Sequence, residues 1–419
     1  MTSAHKWECW RCGGFFTADE VRYLCPACPN GSPVTMVPDY DAAGRGRPVG
    51  ELVGAEFSMW RYRFLLPIPD GRPVHPLESG YGVGGTPLVD APRLAAEFGV
   101  GRLWVKDEGR NPTASLKDRA SALVVAAAAR AGQEVVCTAS SGNAAAALAG
   151  CCAAAGMRCV VFVPGDTAPA KIRQLLAYGA QVFAVRDGYE AAVRLSYQAA
   201  DHFGWLCRST AYNPLTAEGK KTAALEIVEQ LGLRAPSVVL VPAGDGNILT
   251  GLYRGFVDAM RLGWTRAVPR LVAVQSAQSP ALHRAWRLGL DDVEPHDASS
   301  IAESINVAVP QDGFRALRVL RETGGDVLSV PDSALGTAVR RLAQGSGVFA
   351  EPSAAITLAG LGELRERRAL TGDDEVVLIS TGSGLKHAAP RAADDPEVIM
   401  VDADLAAVER AMRVTEAGR

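Results

Sequence analysis

The sequence has no long hydrophobic run, little net charge and few lysines. No stretch approaches the ~20 consecutive apolar residues that a membrane-spanning helix needs. The first residues, MTSAHKWECWRC, lack the apolar segment of a secretory signal. A net charge of −3 over 419 residues offers no basic surface for nucleic acid. Glycine (43) and proline (25) are too scarce for a fibrous chain. We therefore expect a soluble, cytoplasmic α/β protein with neither a membrane nor a nucleic-acid partner.

Short apolar runs alternate with Ala-rich stretches of helical periodicity from about residue 85 onward. Eight runs are typical of buried strands: RLWVKDEG (102–109), EVVCTAS (134–140), RCVVFVP (158–164), AQVFAVR (180–186), SVVLVPAG (237–244), RLVAVQS (270–276), DVLSV (326–330) and EVVLIST (375–381). This alternation predicts parallel sheets covered by helices on both faces. Residues 39–75, rich in Gly, Pro and Arg, are expected to pack on this body as a connecting segment. The chain is predicted to end in a strand (EVIMV, 397–401) and a helix.

Four of the nine cysteines lie in the first 28 residues as two Cys-x-x-Cys pairs. Cys9 and Cys12 form the first pair, and Cys25 and Cys28 form the second after a segment of hairpin length. This spacing is typical of a structural zinc site with four thiolate ligands, which leaves no open position for catalysis. A module of ~35 residues has too small a core to fold without such a staple. A redox pair, or a metal-free relic of the two knuckles, stays open as the alternative.

The lysines are so few that the candidates for an amine nucleophile form a short list: Lys6, Lys106, Lys117, Lys171, Lys220, Lys221 and Lys386. Lys117, in the loop NPTASLKDR, follows a predicted strand, and Ser115 is predicted to cap the helix that comes next. The amide dipoles of a first helical turn disfavour a positive charge and help to lower the amine pKa, as Schiff-base chemistry requires. Taken alone, the loop is more typical of a solvated helical lysine.

Three further loops join a strand to a helix or turn, which is where doubly wound folds bind ligands. The loop SSGN (140–143) offers an amide side chain and a helix N-terminus that favours a carboxylate. The loop PAGDGNILTG (242–251) suits a single phosphate monoester, because it is neither a Walker A motif nor a complete GxGxxG. Asp245 must point away from that phosphate or bond locally. The loop STGSGLK (380–386) offers hydroxyls for a heteroaromatic nitrogen. Alone, each loop is also compatible with an ordinary turn or capped helix.

Together, the loops resemble those of the fold type II pyridoxal-phosphate (PLP) enzymes, and within them the threonine synthase-like branch. The resemblance rests on seven segments in family order from about residue 80 to 388: NPTASLKDR, SSGNAAAALA, NPLTAEGKKTAALEI, VPAGDGNILTG, SIAESINVAVP, FAEPSAAITLAGL and ISTGSGLK. It implies an α/β fold of two doubly wound parallel-sheet domains with PLP in the cleft between them, beside the small N-terminal zinc-ribbon-like module. A homodimer is the family default.

The resemblance also implies where the domains lie. The four-cysteine module would occupy residues 1–38. Residues 39–115 would hold the linker and the first part of the large PLP domain, and 116–206 the small domain. The remainder of the large domain would run over 207–388, followed by a C-terminal tail over 389–419.

Residue roles follow from the same resemblance. Lys117 corresponds to the catalytic lysine that bonds the PLP aldehyde and later shuttles protons. Asn143 corresponds to the residue that bonds the phenolic oxygen, and Thr381, with Ser380 as its rival, to the hydroxyl partner of the pyridine nitrogen. The remaining implied residues are the phosphate cup at Gly244, Asp245, Gly246, Asn247 and Ile248, and the substrate-binding residues Ser140, Ser141, Gly142 and Lys220.

The implied reaction is a PLP-dependent elimination or replacement on an activated amino acid, with a carbon–oxygen lyase as the enzyme class. Its nearest named form is the threonine synthase reaction, in which O-phosphohomoserine and water give threonine and phosphate. The chain departs from the family near the substrate. Thr216 stands where the family motif NP-x-R-x-EG-x-KT has arginine, which leaves Lys220 as a point charge for a substrate phosphate. Ala144 stands where SGNT has threonine, and Ala114 where GSFKD has glycine.

These departures keep alternatives open. One is β-replacement on O-phosphoserine or another O-activated serine, as in cysteate synthase. A second is dehydration of threonine or serine. A third is a non-catalytic binding protein whose four-cysteine module docks a partner.

Overall fold

The strand-forming runs assemble into three sheets in a computed structural model, which describes residues 5–29, 31–53, 55–68, 73–386, 398–403 and 405–409. The strands are β1 (Lys6–Cys9), β2 (Phe15–Phe16), β3 (Val34–Val37), β4 (Leu88–Asp90), β5 (Arg102–Asp107), β6 (Val135–Ala139), β7 (Arg158–Pro164), β8 (Gln181–Val185), β9 (Leu206–Cys207), β10 (Val238–Pro242), β11 (Arg270–Ser276), β12 (Asp326–Val330) and β13 (Glu375–Ser380). All eight predicted strands are confirmed, with small differences at their ends.

Helices fill most of the connections between these strands. They are α1 (Val49–Leu52), α2 (Pro92–Phe98), α3 (Lys117–Arg130), α4 (Asn143–Ala155), α5 (Pro169–Ala177), α6 (Gly188–Phe203), α7 (Leu215–Gln230), α8 (Asn247–Arg261), α9 (Ala281–Arg287), α10 (Gly313–Glu322), α11 (Leu335–Ser346) and α12 (Pro352–Glu366). Short 3-10 turns occupy Met59–Leu65, Glu108–Arg110, Glu303–Ile305 and Asp332–Ala334. Among the described residues, none of the helices combines the length and the apolar character that crossing a membrane would require.

The larger sheet has the order β12-β11-β10-β13-β5-β4 and is parallel except for the antiparallel edge strand β4. A four-stranded sheet, β8-β7-β6-β9, is parallel throughout. The predicted α/β class with parallel sheets is therefore confirmed. Sequence periodicity missed β4 and β9, because strands of three and two residues carry no recognisable repeat. The domain boundaries that the resemblance implies stay predictions.

Successive residues of the large sheet point into two separate hydrophobic cores. Leu103 and Leu240 pack on the side covered by α2, α11 and α12, whereas Trp104 and Val239 pack on the side covered by α7, α8 and α10. Both faces are buried, so the strands read as continuous apolar runs rather than as alternating ones. This burial explains why they could be recognised from the sequence.

The connecting segment 39–75 packs on the body, as predicted, over its described part. Trp60, Tyr62 and Leu65 are fully or almost fully buried, and the Tyr62 hydroxyl donates to the Glu229 carboxylate over 2.6 Å. Trp60 joins the core beneath the four-stranded sheet, and Tyr62 joins the core of the large sheet. The segment therefore links the two cores.

The C-terminal unit, residues 390–419, differs from the prediction. Residues 398–403 contain no strand, so the strand expected at 397–401 is wrong over its described part, while 405–409 are helical as expected. Val398 and Met400 are 88% and 87% exposed. A run of β-forming residues becomes a strand only when another strand accepts its backbone hydrogen bonds, and the described residues of this segment have no such neighbour. Glu397 lies outside the described residues.

Candidate active site

Three of the four predicted loops leave neighbouring strands at one edge of the large sheet. Strands β10, β13 and β5 lie side by side and parallel. Their carboxyl ends lead into the loops that hold Gly244, Thr381 and Lys117. The fourth loop, 140–143, leaves β6 at the carboxyl edge of the four-stranded sheet. In parallel α/β sheets this edge is where ligands bind.

The Lys117 and Thr381 loops are hydrogen-bonded to each other by backbone and side-chain groups. The Leu116 N–H donates to the Thr381 carbonyl oxygen over 2.9 Å, and Lys386 Nζ donates to the Thr113 carbonyl oxygen, also over 2.9 Å. Ser115 pairs with Gly382 as an isolated β-bridge. Two loops predicted from separate stretches of sequence therefore form one continuous surface.

Lys117 opens α3, but the predicted serine cap is absent. The residue before the helix is Leu116, with no side-chain cap, and the Ser115 hydroxyl is buried without a hydrogen-bond partner. Instead, the Asp118 carboxylate accepts from the Thr113 N–H over 2.7 Å. The Ser115 prediction is wrong because its carbonyl oxygen, rather than its side chain, accepts from the Asp118 N–H over 3.2 Å.

Burial is the largest cause of a lowered pKa at Lys117. The positive charge of Arg208 lowers this pKa further, while the carboxylates of Asp245 and Glu351 act in the opposite direction. The direction agrees with the sequence-based expectation. A lowered pKa keeps a larger fraction of the amine neutral and nucleophilic at neutral pH.

The predicted phosphate loop is shaped so that its glycines cannot carry side chains. A Cβ on Gly244 would lie 2.9 Å from the Ile305 Cα, and one on Gly246 would lie 2.7 Å from the Ala316 Cβ. Gly246 also has a φ of 84°, in the left-handed region that favours glycine. The Asp245 carboxylate accepts from the Gln311 backbone N–H over 3.4 Å. Asp245 bonds locally, as expected.

Asn247, at the first position of α8, is held from two sides. Its Nδ2 donates to the Asp312 carboxylate over 2.9 Å, and its Oδ1 accepts from Lys220 Nζ. Ile248 follows with only 7% of its surface exposed. The structure places the Lys220 amine on the phosphate loop, and its predicted role in substrate binding stays a prediction. Burial first, and then the charges of Lys117 and Arg208, lower the pKa of Lys220 well below its usual value.

The 140–143 loop leads to an acidic residue that sequence reasoning missed. Ser140 and Ser141 are half-buried and Gly142 is exposed. Asn143 Nδ2 donates to both carboxylate oxygens of Glu351, over 3.0 and 3.1 Å. A further bond from Asn143 Nδ2 reaches the Ser304 hydroxyl over 3.1 Å.

Glu351 also contacts the Thr381 loop. A Cβ on Gly382 would lie 2.8 Å from the Glu351 carboxyl carbon, so this glycine permits the close approach. Glu351 stands directly before Pro352, at the start of the buried helix α12. The sequence could have pointed to Glu351, because in FAEPSAAITLAGL it stands at the start of an apolar helix. A buried acid at such a position needs a hydrogen-bond or ionic partner.

Beneath the Lys117 loop lies a buried network of ion pairs. Arg119 binds Glu108 and Glu226 over 2.7 Å each, and Lys106 Nζ binds Glu226 over 2.7 Å. These four side chains are at most 4% exposed. Asn111 Nδ2 donates to Glu108 over 2.8 Å and so connects the start of the loop to the network. The network therefore fixes both flanks of the Lys117 segment.

Several observations of the structure fit PLP. The glycine cradle at Gly244 and Gly246 adjoins the N-terminus of α8, which favours a phosphate. The Ser380 and Ser115 hydroxyls are buried without hydrogen-bond partners on the two loops that are bound together around Lys117. The Thr381 side chain lies beside Ser380 and is 6% exposed. An amine, a phosphate cradle and unpaired hydroxyls are the groups that an aromatic aldehyde with a phosphate tail would use.

The four N-terminal cysteines converge as the sequence predicts. Their Sγ atoms all lie within 4.8 Å of one another, and two pairs, Cys9–Cys28 and Cys12–Cys25, are each 3.7 Å apart. Thiolates around a tetrahedral Zn²⁺ at ~2.3 Å would be separated by about 3.8 Å. The cluster therefore has the dimensions of a four-thiolate metal site.

A chain of buried contacts runs from this module to the phosphate loop. Arg315 donates to the Val34 carbonyl oxygen and to the Thr35 hydroxyl of β3, over 2.8 Å each. The same guanidinium binds Asp312 over 2.5 Å, and Asp312 in turn accepts from Asn247. The module is thus attached to the body by charged side chains that also hold the candidate site.

Comparisons with known proteins agree with this arrangement. A family model described as pyridoxal-phosphate dependent enzyme matches residues 80–382. Threonine synthase of Methanocaldococcus jannaschii is 33% identical over 411 residues, which cover 97% of this chain and 99% of that protein. Threonine synthase of Methanosarcina acetivorans is 34% identical over 409 residues, with coverage of 97% and 98%. A crystal structure of L-serine ammonia-lyase from Rhizomucor miehei has a similar fold, with a TM-score of 0.62 at 22% identity over 71% of this chain and 93% of that one. The chain therefore belongs to the fold type II family of pyridoxal-phosphate-dependent enzymes.

Proposed function

We propose that this enzyme carries out the threonine synthase reaction, in which O-phosphohomoserine and water give threonine and phosphate. The observation that carries the proposal is the position of Lys117, a lysine of lowered pKa at the carboxyl edge of the sheets that also holds the Gly244–Asn247 cradle. Two threonine synthases that are 33% and 34% identical over 97% of the chain support the choice of reaction.

The residues divide the work in the following way. Lys117 would hold PLP covalently and, once released, accept and return protons at the substrate carbons. Gly244, Asp245, Gly246, Asn247 and Ile248 would form the phosphate cup. PLP, when bound, withdraws electrons from the substrate and so makes its α-proton removable. Thr381 would donate or accept a neutral hydrogen bond at the pyridine nitrogen, and a hydroxyl cannot protonate that nitrogen as a carboxylate would.

Substrate binding is proposed at the loop over 140–143. The half-buried Ser140 and Ser141 and the exposed Gly142 precede α4, whose N-terminus favours the α-carboxylate. Asn143 would bond the phenolic oxygen of the cofactor, and its donation to Glu351 fixes the side chain in one orientation. Lys220 would contribute a hydrogen-bond donor from its place beside Asn247.

The test compares two phosphorylated amino acids on the PLP-loaded enzyme. Phosphate release from O-phosphohomoserine together with threonine formation would support the proposal. Phosphate release only from O-phosphoserine would contradict it and favour β-replacement on an activated serine. A 2-oxo acid formed from serine or threonine would favour the dehydratase alternative. Absence of the cofactor absorbance band near ~410–430 nm from the wild-type protein supplied with PLP would favour a binding protein.

We further propose that the four-cysteine cluster holds a structural Zn²⁺ in a zinc-ribbon-like module. The 3.7 Å separations and the small module core of Trp7, Val21, Val34 and Met36 support this proposal. One zinc per chain is expected by elemental analysis. Cys25→Ser should lose it, while Cys159→Ser, at a buried cysteine outside the cluster, should keep it. A wild-type protein without stoichiometric metal would contradict the zinc proposal.

A cytoplasmic homodimer with the implied domain division completes the proposal. All nine cysteines are free thiols, which suits a reducing compartment. The dimer and the boundaries at residues 38, 115, 206 and 388 rest on the resemblance alone. Light scattering of the purified holoenzyme would test the dimer.

A further inference from the structure

A fully buried arginine, Arg208, lies at the carboxyl edge of the four-stranded sheet. It follows β9 directly, and its backbone N–H donates to the Cys137 carbonyl oxygen of β6 over 2.8 Å. The same strand β6 leads into the loop over 140–143. Arg208 therefore occupies the edge at which parallel sheets bind ligands, beside the proposed substrate loop. Sequence reasoning assigned it no role, because β9 has only two residues and is too short to be recognised as a strand from the sequence.

The guanidinium contacts helix α3, which begins at Lys117. Arg208 Nε donates to the Ser121 hydroxyl over 3.1 Å. Ser121 lies four residues after Lys117 in α3, so the two side chains share one helix face. Arg208 Nη1 donates to the Thr210 hydroxyl over 2.8 Å. Arg208 Nη2 is buried and has no hydrogen-bond partner.

Arg208 lacks the counter-ion that comparable arginines here possess. Arg119 and Arg315 are equally buried, and each binds a carboxylate. Arg208 forms hydrogen bonds only to hydroxyls through its side chain within the described chain. Burial lowers the pKa of Arg208 to about 10, against weaker opposing effects from nearby acidic groups. A buried cation without a partner is costly, so a group of this kind is expected to meet an anion when the site is in use.

The other candidates for a second anion site are already engaged. The cofactor phosphate has its own cradle at Gly244–Asn247, where the Lys220 amine is bound to Asn247. The Thr216 hydroxyl is buried, donates to the Asn213 carbonyl oxygen over 2.7 Å and accepts from the Ala211 N–H. Both side chains already have hydrogen-bond partners, whereas Arg208 Nη2 has none within the described chain.

We propose that Arg208 binds the phosphate of the amino-acid substrate through its unpartnered Nη2 and so determines specificity for a phosphorylated substrate. The inference deepens the proposed function and rests on it. A planar guanidinium is well suited to phosphate, because it offers parallel N–H donors and stays positively charged at neutral pH. Arg208 thereby supplies, from the end of β9, the cation that is absent at position 216.

The experiment measures binding of inorganic phosphate to the PLP-loaded protein, which requires no turnover. Arg208→Gln removes the charge but keeps a polar side chain, and Arg208→Lys keeps the charge but loses the planar fork. Arg130→Gln is the matched control, because Arg130 is a largely buried arginine paired with Glu78, at the far end of α3 from Lys117. Phosphate affinity is followed by the shift in thermal midpoint and by the cofactor absorbance.

Arg208→Gln should weaken phosphate binding about 10- to 100-fold, which is typical for loss of a charge-assisted hydrogen bond. Arg208→Lys should lose less, and Arg130→Gln should bind phosphate as the wild type does. The affinity of each apoprotein for PLP should change less than about twofold, since that phosphate uses the Gly244–Asn247 cradle. If Arg208→Gln does not fold, the loss in Arg208→Lys relative to Arg130→Gln decides the question.

Any of four results would overturn the assignment. One is unchanged phosphate affinity in both Arg208 variants. Another is a loss of PLP affinity in the apoproteins with phosphate binding intact, which would place Arg208 on the cofactor phosphate. The third is weaker binding of unphosphorylated L-serine alone, which would place it on the α-carboxylate. A wild-type holoenzyme that does not bind phosphate would also refute the Arg208 role and leave the PLP assignment standing. A wild-type protein that does not bind PLP would refute the proposed function itself.

Discussion

The carbonyl oxygen of Ala114 accepts a hydrogen bond from the Ser383 N–H over 3.1 Å. Ala114 holds this position with a φ of 62°, a left-handed conformation that costs a residue with a Cβ about 1 kcal/mol. The resemblance described above implies glycine at this position of the family motif GSFKD. The strain lies three residues before Lys117, where the backbone must turn from β5 into α3.

Ala114→Gly should therefore raise the free energy of unfolding by about 0.5–1 kcal/mol, since relief of strain exceeds the added chain entropy. Urea denaturation of the holoenzyme measures the change. Ala127→Gly, within helix α3, is the control and should lower stability by about 1 kcal/mol. A destabilised Ala114→Gly would show that the left-handed turn is not a source of strain.

Lys117→Ala should retain PLP poorly, lose the cofactor absorbance band and lose turnover, because the covalent bond to PLP is assigned to this amine. Lys171→Ala is the matched control: Lys171 is an exposed lysine that pairs with Glu303 on the surface. Absorbance after gel filtration and phosphate release are the measurements. Undiminished turnover in Lys117→Ala would refute the assignment.

Thr381→Val should weaken PLP binding to the apoprotein by about fivefold, the value of one neutral hydrogen bond of ~1 kcal/mol. Ser380→Ala is the comparison variant and should lower PLP affinity less than Thr381→Val does, because Thr381 is assigned the pyridine contact. The comparison is informative because the Ser380 hydroxyl is buried without a partner one residue away. A loss in Ser380→Ala alone would give the pyridine contact to Ser380, the rival considered from the sequence.

Glu226→Gln should lower the free energy of unfolding by about 3 kcal/mol near neutral pH, because it leaves Lys106 and Arg119 buried with a single carboxylate, Glu108. Burial favours a higher pKa for Glu226, but the charges of Arg119 and Lys106 outweigh it, so the folded-state pKa is lowered. Stability from the ionised carboxylate is therefore present above its ordinary pKa of 4.5 and is lost as pH falls below it.

The wild-type advantage over Glu226→Gln should accordingly shrink in denaturation curves recorded below pH 4.5, relative to about pH 7. Asp90→Asn serves as control, since it breaks the half-exposed pair with Arg102 and should cost less than about 0.5 kcal/mol at any pH. A constant difference between wild type and Glu226→Gln across this range would mean that the ionised carboxylate does not stabilise the fold.

The sequence was sufficient to locate the strands and the ligand-bearing loops. Runs such as SVVLV are apolar because both sheet faces are covered, and each loop follows such a run directly. The convergence of Cys9, Cys12, Cys25 and Cys28 followed from spacing alone, because a two-residue gap restricts where a pair of thiols can point.

Residues whose role depends on a distant partner were not predictable in this way. The role of Glu351 depends on its hydrogen bond with Asn143, which lies 208 residues away in sequence. The proposed role of Arg208 depends on its hydrogen bond to Ser121 and on an Nη2 atom that no carboxylate of the described chain binds. The contact between Lys220 and Asn247 was not predictable either, because it arises from the packing of α7 against α8. Local pattern does not encode such contacts.

The attachment of β3 through Arg315 limits how the N-terminal module can be exchanged between homologues. Glu218 also accepts from the Met36 N–H over 3.1 Å, and Arg254 donates to the Met36 carbonyl oxygen over 3.0 Å, so three buried ionic side chains of the body contact this one strand. A chimaera that imports a foreign ribbon without matching positions 218, 254 and 315 would leave these charges facing an unmatched backbone. Transplants should therefore be designed as a unit comprising the ribbon and its three anchoring side chains.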